Sequence, residues 1–68
     1  MELLISELTG LATQYGGMFK IVHYGDRGIY SATISLSGAG IKKKYTTKVG
    51  LEPCLNMLLI LVNTEIKS

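Results

Sequence analysis

The alternation of apolar and hydroxyl side chains in IYSATISL, residues 29–36, decides the fold that this sequence predicts. One parity is apolar and consists of Tyr30, Ala32, Ile34 and Leu36. The hydroxyl side chains of Ser31, Thr33 and Ser35 share the other parity. Successive side chains of a β-strand point to opposite faces of its sheet, so this stretch predicts a strand with one buried face and one open face.

Two further stretches predict strands that pair with this one. MFKIVHY, residues 18–24, combines aromatic and β-branched residues in short alternation, which is typical of strands. IKKKYTTKV, residues 41–49, predicts a third strand, in which Lys42, Lys44 and Lys48 share the solvent-facing side. The glycine-containing turns GDRG and SGAG then join the stretches in a three-stranded antiparallel meander.

A helix is predicted on either side of the strands. Residues 2–14 (or 15) repeat leucine at helical spacing, and a pair of glycines then ends the pattern. Residues 51–66 have Pro53 in the first turn and are apolar almost all round beyond it. We therefore predict one α+β domain over residues 1–68, of order α-β-β-β-α, with both helices packed on one face of the meander.

Length and cysteine content bound the class of protein. Sixty-eight residues make one domain, and Cys54 is the only cysteine, so no disulfide can form within the chain. A lone thiol suits a reducing compartment. The opening MELLISEL lacks the basic region of a secretory signal, and the apolar stretch 51–62 is shorter than the about twenty residues of a membrane span. We expect a cytoplasmic protein, in the host cytoplasm if the chain is viral.

Catalytic chemistry has few candidate residues in this sequence. His23 is the only histidine and Cys54 the only cysteine, whereas a metal site needs three or four ligands. We therefore predict no metal, no cofactor and no enzymatic activity. A thiol enzyme using Cys54 and His23 is an open alternative. Against it, Cys is among the most buried residue types, which favours a core Cys54 and a histidine at the rim of the sheet.

The basic residues are concentrated in the middle of the chain. The net charge is only +2, but six Lys and Arg residues between Met18 and Lys48 face a single acid, Asp26. The candidate residues for contact with a nucleic acid or an acidic protein are Lys20, Tyr24, Arg27, Lys42, Lys44 and Lys48. The alternative is that lysines on an edge strand only protect the sheet against aggregation.

The C-terminal helix is the second candidate contact surface. Two helices and a small sheet offer limited cover for a helix that is apolar almost all round. Short chains without disulfides often gain buried surface by oligomerising. We therefore predict a homodimer, or contact with a protein partner, through Leu55, Leu59 and Val62.

The stretches YSATISLSG and IKKKYTTKV, followed by a leucine-rich helix, resemble double-stranded RNA-binding domains in element order and length. The resemblance covers nearly the whole chain. It implies RNA contact through the first helix, the first loop between strands and a basic cluster at the start of the second helix. Here the loop GDRG supplies Arg27, but the second helix starts GLEPC, with Glu52 where the family has lysines. In size and topology the chain is also similar to small phage-encoded inhibitors of host nucleases.

These features together predict a small non-enzymatic binding protein. We expect a protein-interaction module or an inhibitor of the phage or mobile-element type, acting for example on a host nucleic-acid-handling or defence protein. The alternative is a nucleic-acid-binding protein that uses the basic face of the sheet. The modest net charge and the acidic start of the second helix favour the protein partner.

Overall fold

The computed structural model describes residues 2–67, so both ends of the predicted domain 1–68 lie outside the described residues. The helices and strands are α1 (Glu2–Gln14), β1 (Met18–Tyr24), β2 (Ile29–Leu36), β3 (Ile41–Thr47) and α2 (Leu51–Lys67). A short 3-10 turn, Ser37–Ala39, connects β2 to β3. The predicted α+β fold of order α-β-β-β-α is therefore confirmed.

The three strands form one antiparallel sheet in the order β1-β2-β3. The register places Thr33 of β2 between Lys20 of β1 and Lys44 of β3. Because β2 lies between β1 and β3, each side chain on the outer strands points to the same face as its partner on β2. The face on which the even-numbered residues of β2 lie is called the inner face below, and the opposite face is called the outer face.

The third strand ends two residues before its predicted limit at Val49. Thr47 is the last residue paired with β2, and Lys48 and Val49 form a bend that leads into α2. The amide of Val49 donates to the side-chain hydroxyl of Thr47 at 3.1 Å instead of to a neighbouring strand. Val49 is consequently 80% exposed, whereas a strand that continued to residue 49 would place it on the side opposite to Lys42, Lys44 and Lys48.

The hydrophobic core lies between the inner face and the two helices. α1 packs on β1 and β2, and α2 packs on β2 and β3. The fully or nearly fully buried apolar residues are Leu8, Ala12, Ala32, Ile34, Leu36, Cys54, Leu55, Leu58 and Val62. Both helices therefore cover the same side of the sheet, and neither of them reaches the outer face.

Two glycines allow the C-terminal end of α1 to approach the sheet closely. The amide of Gly17 donates to Ala12 at 2.7 Å, and the amide of Gly38 donates to Tyr15 at 2.7 Å. A Cβ atom on Gly17 would collide with the backbone carbonyl of Ser35. The absence of a side chain at Gly17 therefore sets the distance between the start of β1 and the end of β2.

We expect Gly17→Ala and Gly10→Ala to change the free energy of unfolding in opposite directions. Gly17→Ala forces two backbone segments apart and should cost about 2 kcal/mol or more. Gly10→Ala adds a methyl group where nothing lies within 4 Å, in the middle of α1, and should stabilise by ~1 kcal/mol. Urea unfolding of both variants and the parent measures the difference. A Gly17→Ala protein as stable as the parent would contradict the close approach.

Candidate interaction surface

The outer face presents its side chains in rows that run across the three strands. One row contains Lys20, Thr33 and Lys44, and the next contains Met18, Ser35 and Lys42. Farther along the strands follow a row of Val22, Ser31 and Thr46 and a pair formed by Tyr24 and Ile29. The outer face is therefore polarised: its basic end consists of Lys20, Lys42 and Lys44, and its apolar end consists of Val22, Tyr24 and Ile29.

The lysines of the basic end are exposed and have no partner within residues 2–67. None of the ion pairs or side-chain hydrogen bonds in this part of the chain involves Lys20, Lys42 or Lys44. Lys43 has the opposite parity, and its ammonium group donates to Glu65 of α2 at 2.9 Å. The KKK run is thus divided, with two lysines on the outer face and one paired with α2.

The spacing of the basic end allows its lysines to converge on one ligand. Neighbouring strands lie about 4.8 Å apart, so Lys20 and Lys44 on either side of β2 are separated by about 10 Å between their Cα atoms. Lys42 and Lys44 are two residues apart on one strand, which is about 7 Å. Met18, Lys20, Thr33, Ser35 and Lys42 line a shallow hollow between them. Two of the three lysines and two hydroxyl side chains therefore line one hollow, which suits an anionic group.

The other predicted contact residues lie at or beyond the far end of the sheet. Tyr24 ends β1 and is 50% exposed. Arg27 is exposed in the turn between β1 and β2, where its amide donates to Tyr24 at 3.0 Å. Lys48 is exposed in the bend after β3. The structure therefore brings together Lys20, Lys42 and Lys44 but places Tyr24, Arg27 and Lys48 outside this cluster.

The structure corrects two of the three residues predicted to form an oligomer interface on α2. Leu55 and Val62 are 0% exposed and lie in the core, and Leu59 is half-buried. Leu55 and Val62 offer no surface to a second chain, because the side of α2 that carries them packs on β2 and β3. Met57 and Ile60, which the sequence patterns do not single out, are the large apolar residues exposed on the opposite side of α2. The three-residue spacing of Met57 and Ile60 was the sequence signal that could have indicated that they share one side of the helix.

Cys54 lies in the core, as its residue type predicts. Its thiol donates to the carbonyl oxygen of Tyr45, at 3.4 Å from Sγ, and that of Tyr30 lies at 3.8 Å. Burial raises the pKa of the Cys54 thiol above its ordinary value of 9.0, and a hydrogen bond with the Ala32 backbone lowers it in part. A nucleophilic thiolate requires the opposite, namely access to solvent and a lowered pKa.

His23 lies at the exposed end of β1, on the inner parity. Its ring stacks on the ring of its cross-strand neighbour Tyr30, with 4.2 Å between the ring centroids and 4° between the planes. Cross-strand aromatic pairs of this kind stabilise a sheet. The position at the rim agrees with the structural interpretation of this histidine.

Residues 2–67 contain neither a metal-binding group of side chains nor a membrane-spanning helix. Nowhere in this range do three His, Cys, Asp or Glu side chains come together in a group that could hold a metal ion. None of the helices in the same range is both long enough and apolar enough to cross a membrane.

Comparisons with known proteins identify no relative of this chain. No protein-family model, no curated protein and no solved structure matches it. The α-β-β-β-α order by itself does not establish a relationship to double-stranded RNA-binding domains. The function therefore has to be inferred from the surfaces of the molecule.

We expect the Cys54 thiol to react slowly with a thiol reagent in the folded protein and rapidly after unfolding. Because its folded-state pKa is raised, the neutral thiol contributes stability below pH 9.0 that is lost as the pH rises above this value. Urea unfolding at several pH values around 9.0 should show that the free energy of unfolding falls more steeply with pH for the parent than for Cys54→Val. The variant shows the contribution of the other titrating groups. Rapid labelling of the folded chain would contradict the buried thiol.

Proposed function

We propose that this protein is a non-enzymatic protein-interaction module and that its outer face binds an acidic segment of a protein partner. The observation that supports this proposal is the cluster of Lys20, Lys42 and Lys44, which has no acidic partner within residues 2–67. The apolar end of the same face adds aromatic and aliphatic surface beside the charges. A partner segment with acidic residues followed by apolar ones would complement both ends.

The composition of the outer face favours a protein over a nucleic acid. Proteins that hold nucleic acids through the backbone commonly neutralise six or more phosphates, and the basic end offers three lysines. Binding of single strands relies on several aromatic platforms, whereas Tyr24 is the one aromatic residue of the outer face within residues 2–67. Met and Tyr, which are both exposed on this face, are enriched in protein interfaces.

Protection of the sheet edges explains the lysines but not their neighbours. β1 and β3 are both edge strands, and lysines on such strands discourage pairing with other chains. Protection alone would favour polar residues throughout the face. Instead, Met18 is 71% exposed beside the lysines, and Tyr24 is half exposed at the other end. The combination is more typical of a contact surface.

An inhibitor of the phage or mobile-element type is the narrower form of this proposal. Small size and an open sheet face suit a protein that acts by covering part of another protein. The sign of the charge restricts how it would act on a nucleic-acid-handling or defence protein. A basic face is repelled by a basic groove that holds nucleic acid, so contact would be made with an acidic region elsewhere on the host protein.

Selection from a library of random peptides tests the proposal directly. We expect the parent protein to enrich peptides in which Asp or Glu residues stand next to aromatic or aliphatic ones. The double variant Lys42→Gln/Lys44→Gln removes two charges and should weaken binding of the enriched peptides about tenfold. The double variant Ser6→Glu/Thr9→Glu lowers the net charge by the same two units on exposed positions of α1 and should leave the affinity unchanged.

The same measurements define the outcomes that count against the proposal. No enrichment of acidic peptides, or enrichment that does not depend on Lys42 and Lys44, would rule it out. Oligonucleotides provide the second arm. If single-stranded DNA or duplex RNA binds more tightly than the selected peptides, and the affinity falls steeply with added salt, the nucleic-acid alternative replaces the protein partner.

A further inference from the structure

The exposed side of α2 carries no charge over most of its length. The twelve residues from Pro53 to Thr64 include no Asp, Glu, Lys or Arg. Pro53, Met57, Ile60 and Thr64 follow one another at helical spacing on the side that faces away from the sheet, and Met57 and Ile60 are 37% and 48% exposed. A helix with one face in the core ordinarily has charged and polar residues on the other.

The apolar stripe on α2 continues toward the N-terminal end of α1. Leu3 and Leu4 line a hollow between the two helices together with Glu52, Pro53 and Asn56. Leu3 is 81% exposed. The apolar stripe on α2 therefore opens at its N-terminal end into a groove with further leucine side chains, and the patch exceeds what a single exposed residue would create.

We propose that this patch is the contact surface of a homodimer, in which α2 of one copy packs antiparallel against α2 of a second copy. The two-fold axis passes close to Ile60. The interface is self-complementary, because each copy contributes Met57 and Ile60 and receives the C-terminal turn of the other helix near its groove.

The charges at the two ends of α2 are complementary to those of a second copy that runs antiparallel. Glu52 lies in the first turn and Lys67 in the last. Ile60 is eight residues from Glu52 and seven from Lys67, or about 11 to 12 Å along the helix in each direction. An antiparallel copy therefore brings each Lys67 next to Glu52 of the other chain. A parallel copy would instead place like charges together and align the helix dipoles unfavourably.

Dimerisation through α2 leaves the outer face free. α2 covers the inner face, and the basic end lies on the other side of the sheet. The dimer would thus present two outer faces pointing away from each other. The proposal concerns a different surface from the one that binds the acidic partner, so either can fail without the other.

Sedimentation equilibrium of the full chain and its variants tests the dimer. We expect the parent to be a dimer at micromolar concentration. Ile60→Glu places two unpaired acids near the axis and should raise the dissociation constant by at least about 100-fold. Met18→Glu makes the same kind of change on the outer face and should leave the dimer intact. Circular dichroism confirms that both variants fold. A parent chain that remains monomeric at several hundred micromolar would overturn the proposal.

Charge exchange tests the antiparallel direction of the two helices, and cross-linking tests whether Ile60 lies at the two-fold axis. Lys67→Glu should weaken the dimer about threefold to tenfold, and Glu52→Lys/Lys67→Glu should restore it. Ile60→Cys should form a disulfide-linked dimer on mild oxidation because the two copies of this residue meet at the axis, whereas Met18→Cys should not. A double variant no tighter than Lys67→Glu, or no cross-link at position 60, would reject the antiparallel pairing.

Discussion

The burial of the inner face of β2 is the constraint on which the rest of the structure depends. Ala32, Ile34 and Leu36 of this strand are completely buried beneath the two helices. Because side chains alternate along a strand, this burial directs Thr33 and Ser35 to the opposite face. The residues of β1 and β3 that pair with Thr33 and Ser35 point to the same face as these two. A slip of one residue in β3 would bring Lys42 and Lys44 into the core, so the packing that stabilises the domain also holds the basic end outward.

The two surfaces of the molecule follow from placing both helices on one side of the sheet. The outer face remains open because neither helix reaches it, and it combines lysines at one end with apolar residues at the other. The far side of α2 remains exposed because a two-layer domain can cover only one side of a helix. The proposed anionic partner and the proposed second copy would therefore contact different surfaces.

Neighbouring residues of similar chemistry take different roles because the fold separates them. Lys42, Lys43 and Lys44 are adjacent in the sequence, yet Lys43 is tied to Glu65 while the other two reach solvent on the outer face. Leu59 and Ile60 are likewise adjacent, but the first is half-buried and the second lies in the exposed stripe. Residue type alone does not decide which of these four side chains reaches solvent. The direction in which each side chain points decides it, and that direction follows from the periods of the strand and the helix.

The sequence by itself determined the element order, the helix and strand limits to within about two residues, and the outward direction of Lys20, Lys42 and Lys44. It could do so because period-two alternation and glycine turns are local signals. Only the tertiary structure decided where β3 ends and which side of α2 is buried. The end of β3 depends on the path that the chain takes to α2 through Lys48 and Val49. The side of α2 could not be predicted because a helix that is apolar almost all round has no preferred face until a neighbouring surface selects one.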